Sequence, residues 1–481
     1  MLPCRLFLLA GLLAGPALAG AQAPAGVHPP SAHYEAPTDP LVQQKLARWQ
    51  DQKFGLLLHW GLYAVPGIVE SWPLCSEAWV ERDSTVAYED FKKQYWNYSQ
   101  VFNPVKFNPE QWARTARQAG MRYVVFTTKH HDGFNLFDTR QTDFKITNGP
   151  FGGNPRANVA KYVFEAFRQQ NFMVGAYFSK PDWHSEYFWW PKYATPDRNV
   201  NYDIRQHPAR WNKFKEFSYQ QLSELMHDYG ALDILWLDGG WVRPRETVND
   251  EVRAWGAPIP DFSQDIDIPR IAAMARQAQS GLLVVDRTVP GPYENYQTPE
   301  RRVPEQPLGN PWESCLPLAN NWGYVPHDQF KSPASVIHTL VEVVAKGGCL
   351  LLGVGPQPDG TLPPEATTRL AVIGQWLTAN GAAIYNTRAT ARYQDGRVFF
   401  TQGRTGTRYA IACLPESQPA PATVSWTGNV PRPGTRMTLL QTGRPVRWSS
   451  TGQQVRVTVP AALAKQAGAG PALAFAFRAV E

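Results

Sequence analysis

The stretch from Leu232 to Trp241 holds the chain's strongest candidate for a nucleophile: an apolar run of Leu, Ile and Trp that ends on Asp238, followed by Gly239 and Gly240. A buried run that delivers an acid and then turns sharply has the form of a barrel strand ending at the barrel's open mouth. The glycines let the backbone turn with no Cβ in the way, and Trp236 and Trp241 offer a sugar a flat apolar wall. Taken alone, an Asp-Gly at a strand end is also an ordinary cap. The rest of the chain has to separate these readings.

A carboxylate that attacks an anomeric carbon needs a second carboxyl group to protonate the departing oxygen, and in retaining enzymes the two lie about 5 to 5.5 Å apart. After the apolar run that ends on Asp286-Arg287, four glutamates are candidates: Glu294, Glu300, Glu305 and Glu313. Their spacing does not choose among them. His59, His130 and His131 all fall at predicted strand ends. Three histidines can make a zinc site. However, His130 and His131 are adjacent, and extended backbone points neighbours to opposite sides, so a shared ion would need a bend. Recognition of hydroxyl groups suits them better, with satisfied structural histidines as the plain alternative.

Strands and helices that alternate must position these residues. Phe54 to Trp60 reads as the first strand, ending at His59, and Tyr123 to Thr128 as the next, ending at Lys129-His130-His131-Asp132-Gly133. Helical spacing over about 158–170 leads into the strand Phe172–Phe178, and a long helix over about 209–229 leads into the Asp238 strand. A helix over about 269–279 precedes Gly281–Asp286. A further helix after Ser332-Pro333 leads into Gly348–Leu352, and a last one covers about 365–379. Polar residues gathered at the C-terminal ends of alternating strands predict a (β/α)8-like barrel. From about Thr387 the helical period is absent. Short alternating runs such as Arg408–Cys413, Val455–Val459 and Ala472–Phe477 predict a small antiparallel β-sandwich. The expected organisation is a signal segment at 1–23, a Pro/Ala-rich linker at 24–39, a barrel at 40–385 and a sandwich at 386–481.

The first 23 residues carry one cation, Arg5, an apolar run from Leu6 to about Leu18, and small residues after it, which is the form of a cleavable export signal. No other run approaches the roughly 20 apolar residues a bilayer needs. The expected mature protein is therefore exported, periplasmic or secreted, and not held in a membrane. Its net charge of +6 falls to +5 when Arg5 leaves, because the segment holds no acid. That charge is spread without a basic block, which argues against a nucleic-acid partner. Cys75, Cys315, Cys349 and Cys413 are too sparse for a disulfide scaffold. With 18 Trp and only 18% charged residues, the surface suits a flat, partly apolar ligand such as carbohydrate.

Six motifs, in order, carry a resemblance: Lys53–Gly61, Thr128–Phe134, Leu235–Gly239, Tyr296–Glu300, Pro311–Cys315 and Leu351–Gly360. Together they resemble the α-L-fucosidases of glycoside hydrolase family 29, over nearly the whole chain after the signal. The resemblance implies a retaining exo-hydrolase that releases terminal α-L-fucose from a fucosylated oligosaccharide or glycoconjugate without metal or cofactor. It implies Asp238 as nucleophile, with His59, His130, His131, Tyr177, Trp236, Arg287 and Trp322 around the sugar. Glu300, in Tyr-x-Thr-Pro-Glu, is favoured as acid/base, and Glu313, in the Trp-Glu motif, is the alternative. Family members place a Glu/Trp pair after the first strand, and here Glu77 with Trp79 is preferred to Glu70 with Trp72. The aromatic run Tyr187–Trp190 lies outside the general pattern and serves either the sugar beyond fucose or the packing of its own loop. Two other readings remain open: a barrel glycosidase for another terminal sugar, and a non-catalytic sugar-binding protein.

Overall fold

The computed structural model describes residues 30–480 except Ala78, Ser417, Gly468 and Ala469. The expected signal segment and the first part of the linker lie outside the described residues. Helix α1 (Pro40–Gln52) begins where Asp39 accepts from the Leu41 amide at 2.8 Å and Pro40 sets the first turn. Strand β1 (Phe54–Leu58) follows, then α2 (Tyr88–Asn97), α3 (Pro109–Gln118), β2 (Tyr123–Lys129), α4 (Val159–Gln169) and β3 (Met173–Ser179). Next come α5 (Pro208–Asp228), β4 (Ile234–Asp238), the short α6 (Asp250–Arg253), α7 (Ile268–Ala278) and β5 (Leu283–Asp286). The series ends with β6 (Glu313–Pro317), α8 (Pro333–Ala345), β7 (Cys349–Val354) and α9 (Pro364–Asn380).

The seven strands form one curled parallel sheet in the order β5-β4-β3-β2-β1-β7-β6. Strands β1, β2, β3 and β7 are buried along their whole length, which is why their sequences are apolar almost without alternation. One set of side chains, including Leu57, Tyr123, Val125, Trp236, Val285 and Leu351, fills the interior of the curl. Val42, Leu46 and Trp49 of α1 join that set, and Trp49 stacks on Tyr296 at 3.9 Å, so α1 plugs the floor.

The two edge strands, β5 and β6, do not pair with each other. The gap is filled by irregular chain from Tyr293 to Arg301. On one side the Asp286 amide donates to the Tyr293 carbonyl at 2.9 Å and the Asn295 amide to that of Val284 at 3.0 Å. On the other, the Glu313 amide donates to the Gln297 carbonyl at 2.8 Å and the Arg301 amide to that of Cys315 at 2.9 Å. The barrel is thus closed by a seam with few ladder bonds, and Glu300 lies on it.

Beyond α9 come β8 (Thr387–Asp395), β9 (Val398–Gly403), β10 (Thr407–Cys413), β11 (Thr423–Thr427), β12 (Met437–Leu439), β13 (Arg444–Thr451), β14 (Gln454–Thr458), α10 (Ala461–Ala467) and β15 (Ala472–Arg478). These strands run antiparallel in the order β11-β14-β13-β12-β15-β10-β9-β8. The sheet folds over its own core: Trp426 of β11 meets Phe400 of β9 at 6.0 Å and Phe477 of β15 at 5.9 Å between ring centroids. The helix α10 was not expected after Thr387. Its Ala-rich sequence favours a helix on propensity alone and carries no apolar period to detect. Trp376 of α9 donates to the Ala472 carbonyl at 3.0 Å, and Asp51 takes Arg388 at 2.7 Å and also Arg404, which fastens this unit to the barrel. The four described cysteines are buried and free. Among the described residues no helix is long and apolar enough to cross a membrane.

Candidate active site

Strand β4 brings Asp238 to the C-terminal mouth of the barrel, and the chain leaves at once through Gly239 at φ +89°. A Cβ at Gly239 would come within 2.4 Å of Pro181 Cδ, so this turn requires glycine. Asp238 Oδ1 accepts from Arg287 Nη1 at 2.6 Å and Oδ2 from Tyr177 Oη at 2.7 Å. Burial alone would raise this carboxyl's pKa. The Arg287 guanidinium leads the opposing influences, and together with the adjacent His131, the Tyr177 hydroxyl and the Gly239 amide it outweighs burial, so that the carboxyl is held well below the usual carboxylate range. Asp238 is therefore ionised at any ordinary pH.

The other arm of the same guanidinium reaches Glu300: Nη2 donates to Oε2 at 3.0 Å, while Trp322 Nε1 donates to Oε1 at 3.2 Å. Thr298 holds Arg287 Nε through a hydroxyl at 3.1 Å, and Trp236 lies beneath the guanidinium at 4.2 Å. One planar cation thus ties Asp238 on β4 to Glu300 on the seam. Both carboxylates keep 16% of their side-chain surface exposed and line a cavity of about 470 Å³.

Glu313 stands apart. It is fully buried below the cavity, where Tyr123 Oη donates to it at 2.7 Å and Trp236 Nε1 at 3.1 Å. Burial pushes its carboxyl up to about 7. Its visible job is to hold the Trp236 indole on which Arg287 rests. Of the remaining glutamates considered, Glu294 is buried and donor-bound through the Thr288 amide at 2.9 Å, and Glu305 is exposed outside the cavity.

His59, His130 and His131 all face the cavity. Burial pushes His59 down to about 4 and His131 to about 3, and lowers His130 as well, so all three rings are neutral near pH 7. Ser71 engages His130 Nδ1 at 2.5 Å, Ser179 engages His131 Nδ1, and His131 Nε2 lies 3.9 Å from Asp238. His59 Nε2 is buried and makes no hydrogen bond among the described residues. Among the described residues no group of three or more His, Cys, Asp or Glu side chains is arranged to hold a metal ion.

Both Glu/Trp pairs after β1 line the cavity. Glu70 is deeply buried and accepts from the Trp322 and Gly323 amides at 2.9 and 3.1 Å. Glu77 accepts from Trp79 Nε1 at 2.8 Å and is gripped by Arg198, whose Nε reaches Oε1 at 2.5 Å. Arg198 itself lies between the rings of Trp72 and Trp241, at 4.8 and 4.9 Å. Sequence reasoning missed Arg198. It also missed the segment Glu251–Ala257, which forms part of the cavity wall. A signal existed for neither, since Arg198 sits in a loop and the other segment is the end of the four-residue helix α6 and the turn after it, too short to show a period. Residues Tyr187–Trp190 do not line the cavity. Trp189 stacks on Trp183 at 5.1 Å, and Phe188 packs on Phe214 at 5.1 Å, so this run packs its own loop.

Paired carboxylates and neutral histidines at the mouth of a (β/α) barrel define the class, a barrel glycoside hydrolase. The family model described as Alpha-L-fucosidase matches residues 22–382, and the chain belongs to that family. It is 27% identical to an alpha-L-fucosidase of Branchiostoma floridae over 459 residues, which cover 90% of this chain and 93% of that one. It is 30% identical to the tissue alpha-L-fucosidase of Rattus norvegicus over 390 residues, covering 78% of this chain and 76% of that one. Among solved structures, alpha-L-fucosidase isoenzyme 1 from Paenibacillus thiaminolyticus superposes with a TM-score of 0.73 at 28% identity, covering 92% of this chain and all of that one.

Proposed function

We propose that this enzyme is an exported, retaining exo-α-L-fucosidase that works by double displacement, with Asp238 as nucleophile and Glu300 as acid/base. The observation that carries the reading is the single Arg287 guanidinium bonded to both carboxylates at one cavity. A pair joined through one small planar group favours the short spacing of a retaining enzyme over the wider gap that must admit a water between.

In the first step an Asp238 oxygen bonds to the anomeric carbon of fucose while the bond from that carbon to the leaving oxygen breaks. The bond's electron pair goes to the leaving oxygen, which takes the proton of Glu300. In the second step a water oxygen attacks the same carbon and gives a proton to Glu300, and the bond to Asp238 breaks, returning the carboxylate. Two inversions leave the configuration unchanged. Arg287 and Tyr177 keep Asp238 ionised and aimed. His59, His130 and His131, being neutral, can each exchange hydrogen bonds with sugar hydroxyls, and the buried His59 Nε2 has no hydrogen-bond partner among the described residues. Trp322 and Trp236 supply apolar surface, and the Glu77–Trp79 pair, clamped by Arg198, forms the cavity wall. Export rests on the N-terminal signal alone.

Proton NMR at early times tests the mechanism. Fucose should be released first as the α-anomer. Initial β-anomer would mean inversion and would remove Asp238 from the role of covalent nucleophile.

A further inference from the structure

The cavity of about 470 Å³ has a lining of two kinds. The inner end is the buried set around Asp238. The outer wall is the segment that follows β4, where Glu251, Trp255 and Ala257 are half-buried and Ala254 and Gly256 are exposed. This wall stands on the Glu300 side. Trp255 and Glu251 share a second small pocket with Thr288 and Thr298, and Thr298 lies two residues before Glu300 on the seam. A general acid sits where the leaving group departs, so a surface beside Glu300 meets the leaving group and not the fucose.

Two anchors fix this wall. Arg243 is buried, donates to the Gly240 carbonyl at 2.6 Å and lies 5.0 Å from the Trp255 ring, so the indole is backed by a cation that the post-β4 turn itself holds. Glu251 accepts from Ser31 Oγ at 2.7 Å and from the Ala32 amide at 3.1 Å, while Gln297 on the seam donates to the Ser31 carbonyl at 2.9 Å. The N-terminal strap therefore ties the Trp255 wall to the stretch that carries Glu300.

We propose that Trp255 is the floor of a leaving-group subsite that binds a pyranose through its apolar C–H face, in a register set by the strap through Glu251. The proposal rests on the fucosidase reading and adds a second sugar site to it. An indole offers a large rigid face to a sugar at small entropic cost, and its removal is worth about tenfold in kcat/KM.

The test compares two substrates. α-L-Fucosyl fluoride has a leaving group too small to touch Trp255, whereas a fucosylated disaccharide places its second ring there. For Trp255→Ala, kcat/KM on the disaccharide should fall about tenfold while the value on the fluoride stays at wild type, and Trp255→Phe should recover part of the loss. Glu251→Gln, which weakens the strap without touching the indole, should show the same selective loss in smaller measure. Equal losses on both substrates, or no loss on either, overturn the subsite. A wild-type enzyme that releases fucose from neither substrate would instead overturn the fucosidase reading.

Discussion

Replacing Glu313 by Gln separates a buried brace from a catalytic acid. The Glu313 carboxyl has no contact with solvent and is raised from 4.5 to about 7, because burial penalises its charge more than Tyr123 and Trp236 relieve it. Between those two values the unfolded chain has released a proton that the folded protein still holds, so this group's contribution to stability falls as pH rises. Over the 2.5 units from 4.5 to about 7, at about 1.36 kcal/mol per unit, the change amounts to about 3 kcal/mol. Glutamine copies the neutral acid: its carbonyl accepts from Trp236 and its amide donates to the Tyr123 oxygen. Below pH 4.5 the variant should match the wild type closely, and by pH 7.5 it should have gained about 3 kcal/mol on it. Histidines held below their ordinary values, His59 at about 4 and His131 at about 3, push stability the other way, losing it as pH falls. They are common to both proteins and cancel in the difference. Urea unfolding of the pair at pH 4.5 and 7.5 measures it. A stability difference that is the same at both pH values would refute a buried, protonated Glu313.

Asp238→Asn should lose several orders of magnitude in turnover with its unfolding midpoint kept, since the amide cannot form the fucosyl ester; near-normal turnover would sink the assignment. Glu300→Ala should slow a natural glycan severely and an activated aryl fucoside much less, and azide should rescue the aryl substrate with formation of a fucosyl azide. Glu313→Ala should lose activity equally on both substrates without azide rescue, because it leaves Trp236 and Tyr123 without their acceptor. Azide rescue of Glu313→Ala in place of Glu300→Ala would reverse the two roles.

Much of the barrel was legible because parallel strands covered on both faces read as unbroken apolar runs, and Asp238, Arg287 and the three histidines lie at or just past the ends of such runs. The choice between Glu300 and Glu313 was not legible from spacing, since it depends on which side of β6 and the seam each side chain occupies. Strand β6 itself, Glu313–Pro317, carries Glu, Ser and Pro and has no strand signature; pairing with β7 makes it one. Arg198 meets Glu77 across a separation of 121 residues, and nothing local in either loop announces the contact. The same holds for the Trp255 wall, whose shape depends on Ser31 and Ala32 from the far end of the chain.

The seam has a mechanical consequence. A barrel is a hoop, and this hoop has one soft joint, between β5 and β6, where single bonds replace a ladder. Asp238 is bolted into the stiff part, with β4 paired on both sides to β3 and β5. Glu300 rides on the joint. Lengthening or shortening the joint by a residue shifts the proton donor against a stationary nucleophile without breaking the ring. The attacking half of the chemistry is thereby frozen, while the half that meets the leaving group is free to be retuned.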